Sequence, residues 1–157
     1  MADFVYNIAK GRVTELANRV NNNDPTNSAF IIVAIAANGV TDATLKDIAD
    51  LSSILATAAD EVTQTGYARK TLTDTSSITV TTDNTNDWVI VDMPDQTWSA
   101  VAAGGTAWSD LIICYDNDTT SGTDANVVPL VQLDFVATPD GSDIVAQFNA
   151  SGVYKAA

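Results

Sequence analysis

Ser77-Ile78-Thr79-Val80-Thr81, then Asp83-Asn84-Thr85-Asn86-Asp87, then Trp88-Val89-Ile90-Val91: the reading of these pieces decides the fold. The first alternates polar and apolar residues with period two, as a half-buried strand does. The second is made of residues whose side chains bond nearby backbone N–H groups and so favour turns. The third is aromatic and β-branched, suited to a pleated surface. Strand, turn and strand follow one another, and the grammar repeats to the end of the chain. Gln96 to Val101, Asp110 to Tyr115, Val127 to Phe135, Ile144 to Phe148 and Gly152 to Tyr154 read as further strands. Ala103-Gly104-Gly105 and the turn-rich stretches 116–124 and 138–143 separate them. Many short strands at this spacing predict an antiparallel sandwich or barrel.

Toward the N-terminus the period changes. Phe4, Ile8, Val13, Leu16 and Val20 form an apolar stripe, which predicts a helix near 3–21, weakened in the middle by Gly11, so that its first turn is alternatively an extended arm. Asn21-Asn22-Asn23-Asp24-Pro25 stops it. Ser28 to Ala37, rich in isoleucine and valine, reads as a buried strand, and Asn38-Gly39 as a turn. A second helix is expected near 42–57, with Asp42 as N-cap, Leu45, Ile48, Leu51 and Leu55 as its apolar face, and Lys46 and Asp50 four apart outside. Tyr67 to Leu72 reads as a short strand. The expectation is one α+β domain over residues 1–157: a helical and mixed part, 1–66, and a β-rich acidic part, 67–157. Its two short helices pack on an antiparallel β-sandwich, jelly-roll-like or a partly open barrel.

Charge is distributed unevenly. Of the net charge of -13, most falls after residue 70, where twelve aspartates face a single base, Lys155. Phosphate binding needs lysine and arginine, so nucleic acid is excluded as a partner, and anionic membrane surfaces with it. The N-terminal residues lack the basic and apolar regions of a secretory signal, and the longest apolar stretch is too short to span a bilayer.

Candidate chemistry is sparse. There is no histidine, the commonest general base and zinc ligand. Cys114 is alone in an apolar run and reads as a core residue. Asp92 with Asp95, or Asp110 with Asp116, are carboxylate pairs of the kind glycoside hydrolysis uses, although aspartate in such a chain more often serves a turn. Three aspartate clusters, at 83–87, 116–124 and 140–143, offer oxygen ligands for calcium, but none has the spacing of a helix–loop–helix site. No metal or cofactor is expected. Trp88, Trp98 and Trp108 read as core. Trp98, in Asp95-Gln96-Thr97-Trp98, also has the local chemistry of a sugar-stacking platform.

Several segments, in order and spacing, resemble a family of virion structural proteins of tailed bacteriophages. They are Ala2 to Val13, Asn23-Asp24-Pro25, Gly66-Tyr67-Ala68-Arg69-Lys70, Asp83 to Asp87, Pro94 to Trp98, and Cys114-Tyr115-Asp116. The resemblance implies a non-enzymatic virion component, made in the host cytoplasm. It points to a capsid decoration (cement) protein that binds the major capsid protein on the outer shell, stabilises it and self-associates as a homotrimer. The alternative is a head-fibre or tail module that binds host-surface carbohydrate. The expected docking residues are Phe4, Tyr6 and Arg12, with Arg69 secondary, on an N-terminal segment separable from the β body. The competing reading folds Phe4 and Tyr6 into the chain's own core.

Overall fold

The structure, a computed structural model, describes residues 2–36, 39–76 and 78–156. Ala37, Asn38 and Ser77, at the ends of expected strands and turns, lie outside the described residues. The fold is α+β and sandwich-like, with antiparallel strands throughout. In chain order the elements are β1 (Phe4–Val5), α1 (Val13–Asn21), β2 (Ala29–Ala36), α2 (Asp42–Leu45), α3 (Leu51–Leu55), β3 (Lys70–Leu72), β4 (Thr79–Asp83), β5 (Trp88–Asp92), β6 (Gln96–Trp98), β7 (Trp108–Asp116), β8 (Val128–Ala137), β9 (Ile144–Ala146) and β10 (Tyr154–Ala156). Short 3-10 turns sit at Asn7–Ala9 and Asp124–Asn126.

The main sheet has five strands in the order β1-β8-β7-β2-β3; a second has β10-β5-β4, and β6 pairs with β9. The hairpin read from the opening segments is β4–β5, in register from Thr79↔Asp92 to Asp83↔Trp88. The sandwich draws on more of the chain than expected, because β2, from the helical and mixed part, lies inside the main sheet. It pairs with β7 from Ala29↔Asp116 to Ala36↔Trp108. All of its residues are buried, so both faces of the strand are covered. Each large side chain there contributes about 1.5–3 kcal/mol relative to exposure.

Both expected helices are shorter than their apolar stripes. The first splits at Gly11, whose φ of 76° no right-handed helix contains. Ahead of it, Phe4–Val5 run extended and pair with Gln132 and Val131 of β8. The second splits because Asp50 is extended (φ -145, ψ 156) and caps α3, accepting from the Ser53 N–H at 2.8 Å. Asp50 therefore belongs to a cap and not to an i,i+4 pair with Lys46. Thr41, not Asp42, is the N-cap of α2.

Trp98 and Trp108 anchor the core beside the main sheet, whereas Trp88, expected there too, is half-buried on β5 with Lys155 over its ring. Trp98 and Trp108 meet edge to face at 5.2 Å, and Tyr67 meets Trp108 at 5.4 Å. Buried indoles need hydrogen-bond acceptors: Trp98 donates to the Ala68 carbonyl at 2.8 Å, and Trp108 to Gln64 Oε1 at 3.4 Å.

Candidate functional site

The structure places Phe4 and Tyr6 in the chain's own core. Phe4 is 8% exposed and Tyr6 fully buried, their rings 5.0 Å apart. Strand alternation explains the pair only in part, because the phenol also has a polar partner inside. Tyr6 Oη donates to Gln132 Oε1 at 2.7 Å, Gln132 Nε2 donates to Asp110 Oδ1 at 3.1 Å, and Ser109 Oγ donates to Asp110 Oδ2 at 2.5 Å. Burial pushes the Asp110 carboxyl above its usual range, and Asp134 opposite it on β8 adds to the rise; the Ser109 and Gln132 donors oppose both. Burial likewise raises the Tyr6 phenol. The N-terminal segment is thus not separable from the β body: removing residues 1–12 would take Phe4, Tyr6 and Ala9 out of the core and an edge strand off the main sheet.

What this anchoring leaves outside is a compact knuckle. Tyr6 N–H donates to the Leu130 carbonyl at 3.0 Å and Asn7 N–H to the Lys46 carbonyl at 2.9 Å, which fixes its base. The Ala9 and Arg12 N–H groups close the turn onto the Tyr6 and Ala9 carbonyls, each at 2.9 Å. Ala9 and Val13 point inward, while Ile8 is 38% exposed and Lys10 and Arg12 lie in solvent. Gly11 supplies the left-handed corner and has no neighbour where a Cβ would stand.

The remaining cations are engaged within the chain. Lys46 lies 4.9 Å over the Phe4 ring, Lys70 5.3 Å over Trp98 and Lys155 4.4 Å over Trp88. Arg19 pairs with Glu15 one helical turn away. Arg69, a secondary docking candidate, forks between two acids: Nε and Nη2 reach Glu61 at 2.8 and 2.6 Å, and Nη1 and Nη2 reach Asp124 at 2.6 and 2.9 Å. These bonds hold the Asp124 carboxyl below its usual range. Among the described residues, Lys10 and Arg12 are the bases without an internal partner. The sequence signalled them only as Lys10-Gly11-Arg12, two bases flanking a residue free to turn the chain. The buried network had a fainter signal, Asp110 and Gln132 interrupting apolar strands.

The aspartate clusters serve turns. Asp83 accepts from the Asn86 side-chain amide and the N–H groups of Thr85 and Asn86, and Asp140 from the Ser142 hydroxyl and N–H, so both carboxyls fall below their usual range. Asp118 accepts from the Ser121 and Thr120 hydroxyls and the Thr120 N–H, which lower it to about 2. Among the described residues no group of three or more acids or thiols is arranged to hold a metal ion. Asp110 and Asp116 stand at opposite ends of β7, six residues or about 20 Å apart along the strand, beyond the reach of a catalytic carboxylate pair. Asp92 and Asp95 each accept a backbone N–H, from Met93 and Phe148. Trp98 is 1% exposed and offers no platform to a sugar. Cys114 is buried on β7 of the main sheet, and burial pushes its thiol up.

No described helix is long and apolar enough to cross a membrane. Comparison with protein-family profiles, with curated proteins and with solved structures finds no match.

Proposed function

We propose that this chain is a non-enzymatic bacteriophage virion protein, a capsid decoration (cement) protein that binds the major capsid protein on the outside of the shell. The observation that carries the proposal is the knuckle. On a molecule of net charge -13, the two bases that have no internal partner among the described residues flank one glycine on an ordered turn, beside a half-exposed isoleucine. A turn held at its base by backbone hydrogen bonds loses little entropy on docking. The apolar Ile8 contributes desolvation and the two bases steer toward an acidic surface on the shell. A repeated lattice lets such a modest contact suffice, and a closed homotrimer would present three knuckles at once.

The test has two parts. A cryo-EM reconstruction of the parent particle is expected to show many copies on the capsid lattice, with residues 8–12 at the contact; a few copies confined to the tail would refute the proposal. Binding of the purified chain to shells lacking it is expected to fall about tenfold or more in Lys10→Ala/Arg12→Ala and to weaken with salt. Unchanged binding by that variant would remove the knuckle from the interface.

A further inference from the structure

A cleft opens between β7 and β8 of the main sheet and the segment that runs from the end of β9 toward β10. It measures about 370 Å³ and is lined from Leu111 of β7, Leu133 to Phe135 of β8, Ala146 to Asn149 following β9, Gly152 and Val153, and Asp3. That volume lies within the range of small-molecule sites, about 300–1,000 Å³. Its chemistry is divided. Leu111 and Ala146 are buried, and Phe135 and Phe148 are half-buried along its wall. The rim is polar: the carboxylates of Asp3 and Asp134 and the amides of Gln147 and Asn149, all exposed. None of the lining residues is basic.

The backbone holds these groups in place. Asp3 Oδ1 accepts from the Asp134 N–H at 2.7 Å, joining the N-terminal arm to β8. Asp95 Oδ1 accepts from the Phe148 N–H at 2.8 Å, and Asn149 accepts from Ser151 N–H through Oδ1 and from Gly152 N–H through its carbonyl. Asn149 Nδ2 is left available as a donor, and among the described residues the Gln147 amide makes no hydrogen bond. Gly152 has to be glycine, since a Cβ there would lie 2.4 Å from Ile90 Cγ2 at a φ of +92°.

We infer that this cleft binds a neutral sugar. An aldose ring has an apolar C–H face, which suits a half-exposed phenylalanine, and an equator of hydroxyls, which suits amides and carboxylates spaced around a rim. Among the described residues no base lines the cleft, which argues against phosphate, sulfate or an acidic sugar. The inference stands apart from the knuckle, which contributes no residue to the cleft. A carbohydrate-binding role for this chain would therefore run through Phe135 and Phe148, not Trp98.

The experiment is an amide ¹H–¹⁵N NMR titration of the full chain with methyl β-glucoside, methyl β-galactoside and N-acetylglucosamine, each to tens of millimolar. Saturable shifts confined to Leu133–Phe135 and Gln147–Val153 are expected for at least one sugar, with a millimolar dissociation constant. Gln147→Ala, an exposed change that leaves the core intact, is expected to weaken binding about 2- to 10-fold, the value of one hydrogen bond. Phe148→Ala is expected to abolish it, and Lys10→Ala to leave it unchanged. The inference is overturned if no sugar gives saturable shifts there, if Gln147→Ala binds as the wild type does, or if putrescine binds the cleft while the sugars do not, which would mean that the aspartates alone select the ligand.

Discussion

Replacing Arg69 by alanine is expected to cost about 2 kcal/mol, because the guanidinium bonds two acids from segments far apart in the chain. It makes four charge-assisted bonds, two to Glu61 and two to Asp124, spanning 55 residues between its position and the second acid. Hydrogen bonds to charged groups contribute about 1.5–3 kcal/mol each when well buried. The three side chains are 30%, 22% and 35% exposed, so water screens the set and reduces its sum several-fold. Glu61 also keeps the Tyr67 hydroxyl at 2.9 Å, which limits its loss; Asp124 has no such reserve. For a chain of this size the cost corresponds to a fall in Tm of about 4–8 °C. The pH dependence follows in sign. Arg69 holds the Asp124 carboxyl below its usual range in the folded state, so the stabilisation is full above the ordinary carboxylate pKa and is lost as pH falls through the folded value. Urea denaturation of wild type, Arg69→Ala, Asp124→Asn and the double variant, at neutral pH and at about pH 3, measures both effects. A cost below about 0.5 kcal/mol at neutral pH, or one that does not shrink in acid, would refute the reasoning.

Four further outcomes are expected. Asp110→Asn keeps an acceptor for Gln132 and removes a buried charge; since the folded carboxyl is raised, the wild type loses stability as pH rises above the ordinary carboxylate range, and the variant should lack that slope in urea titrations from acid to neutral pH. Asp110→Ala, which takes the shared acceptor from Gln132 and Ser109, should instead cost about 1–3 kcal/mol in the same assay. Gly66→Ala should cost more than 1 kcal/mol by thermal melting, roughly the value of a left-handed residue alone, because the new Cβ would lie 2.8 Å from the Ala100 carbonyl at a φ of +92°. Cys114 should stay unreactive to a thiol reagent in the folded chain and react fully in denaturant, as its burial and raised thiol require.

The β half was legible because its signal is local. Ser77 to Val91 carries strand, turn and strand within fifteen residues, and β4–β5 pairs there. Ala29–Ala36 was legible as a buried strand, but not its place: pairing with β7 depends on residues 80 positions away and leaves no periodic mark. The helices were read too long because an apolar stripe reports burial, not backbone. Leu45, Leu51 and Ile54 are all buried, yet Asp50 breaks the helix between them to cap the next. Phe4 and Tyr6 were ambiguous for the same reason, since an aromatic residue near an end is equally suited to a partner's surface or its own core. The knuckle emerged by subtraction, once the other cations had found rings or acids, and the cleft depends on β7, β8 and the segment after β9 coming together, which no window of sequence contains.

The pairing of β1 with β8 also orders events in time. β1 is synthesised before β8, and Gln132, the residue opposite Phe4, follows it by 128 positions. Closing so long a loop is entropically slow, and contacts of this range are the late ones in folding. Until β8 has been made, Phe4 and Tyr6 have no strand to lie against, and the phenol of Tyr6 has only water to bond. The arm therefore has no partner until β8 is present, and its pairing completes the main sheet at its edge. A cell's chaperones and proteases would meet the chain in that open-armed form.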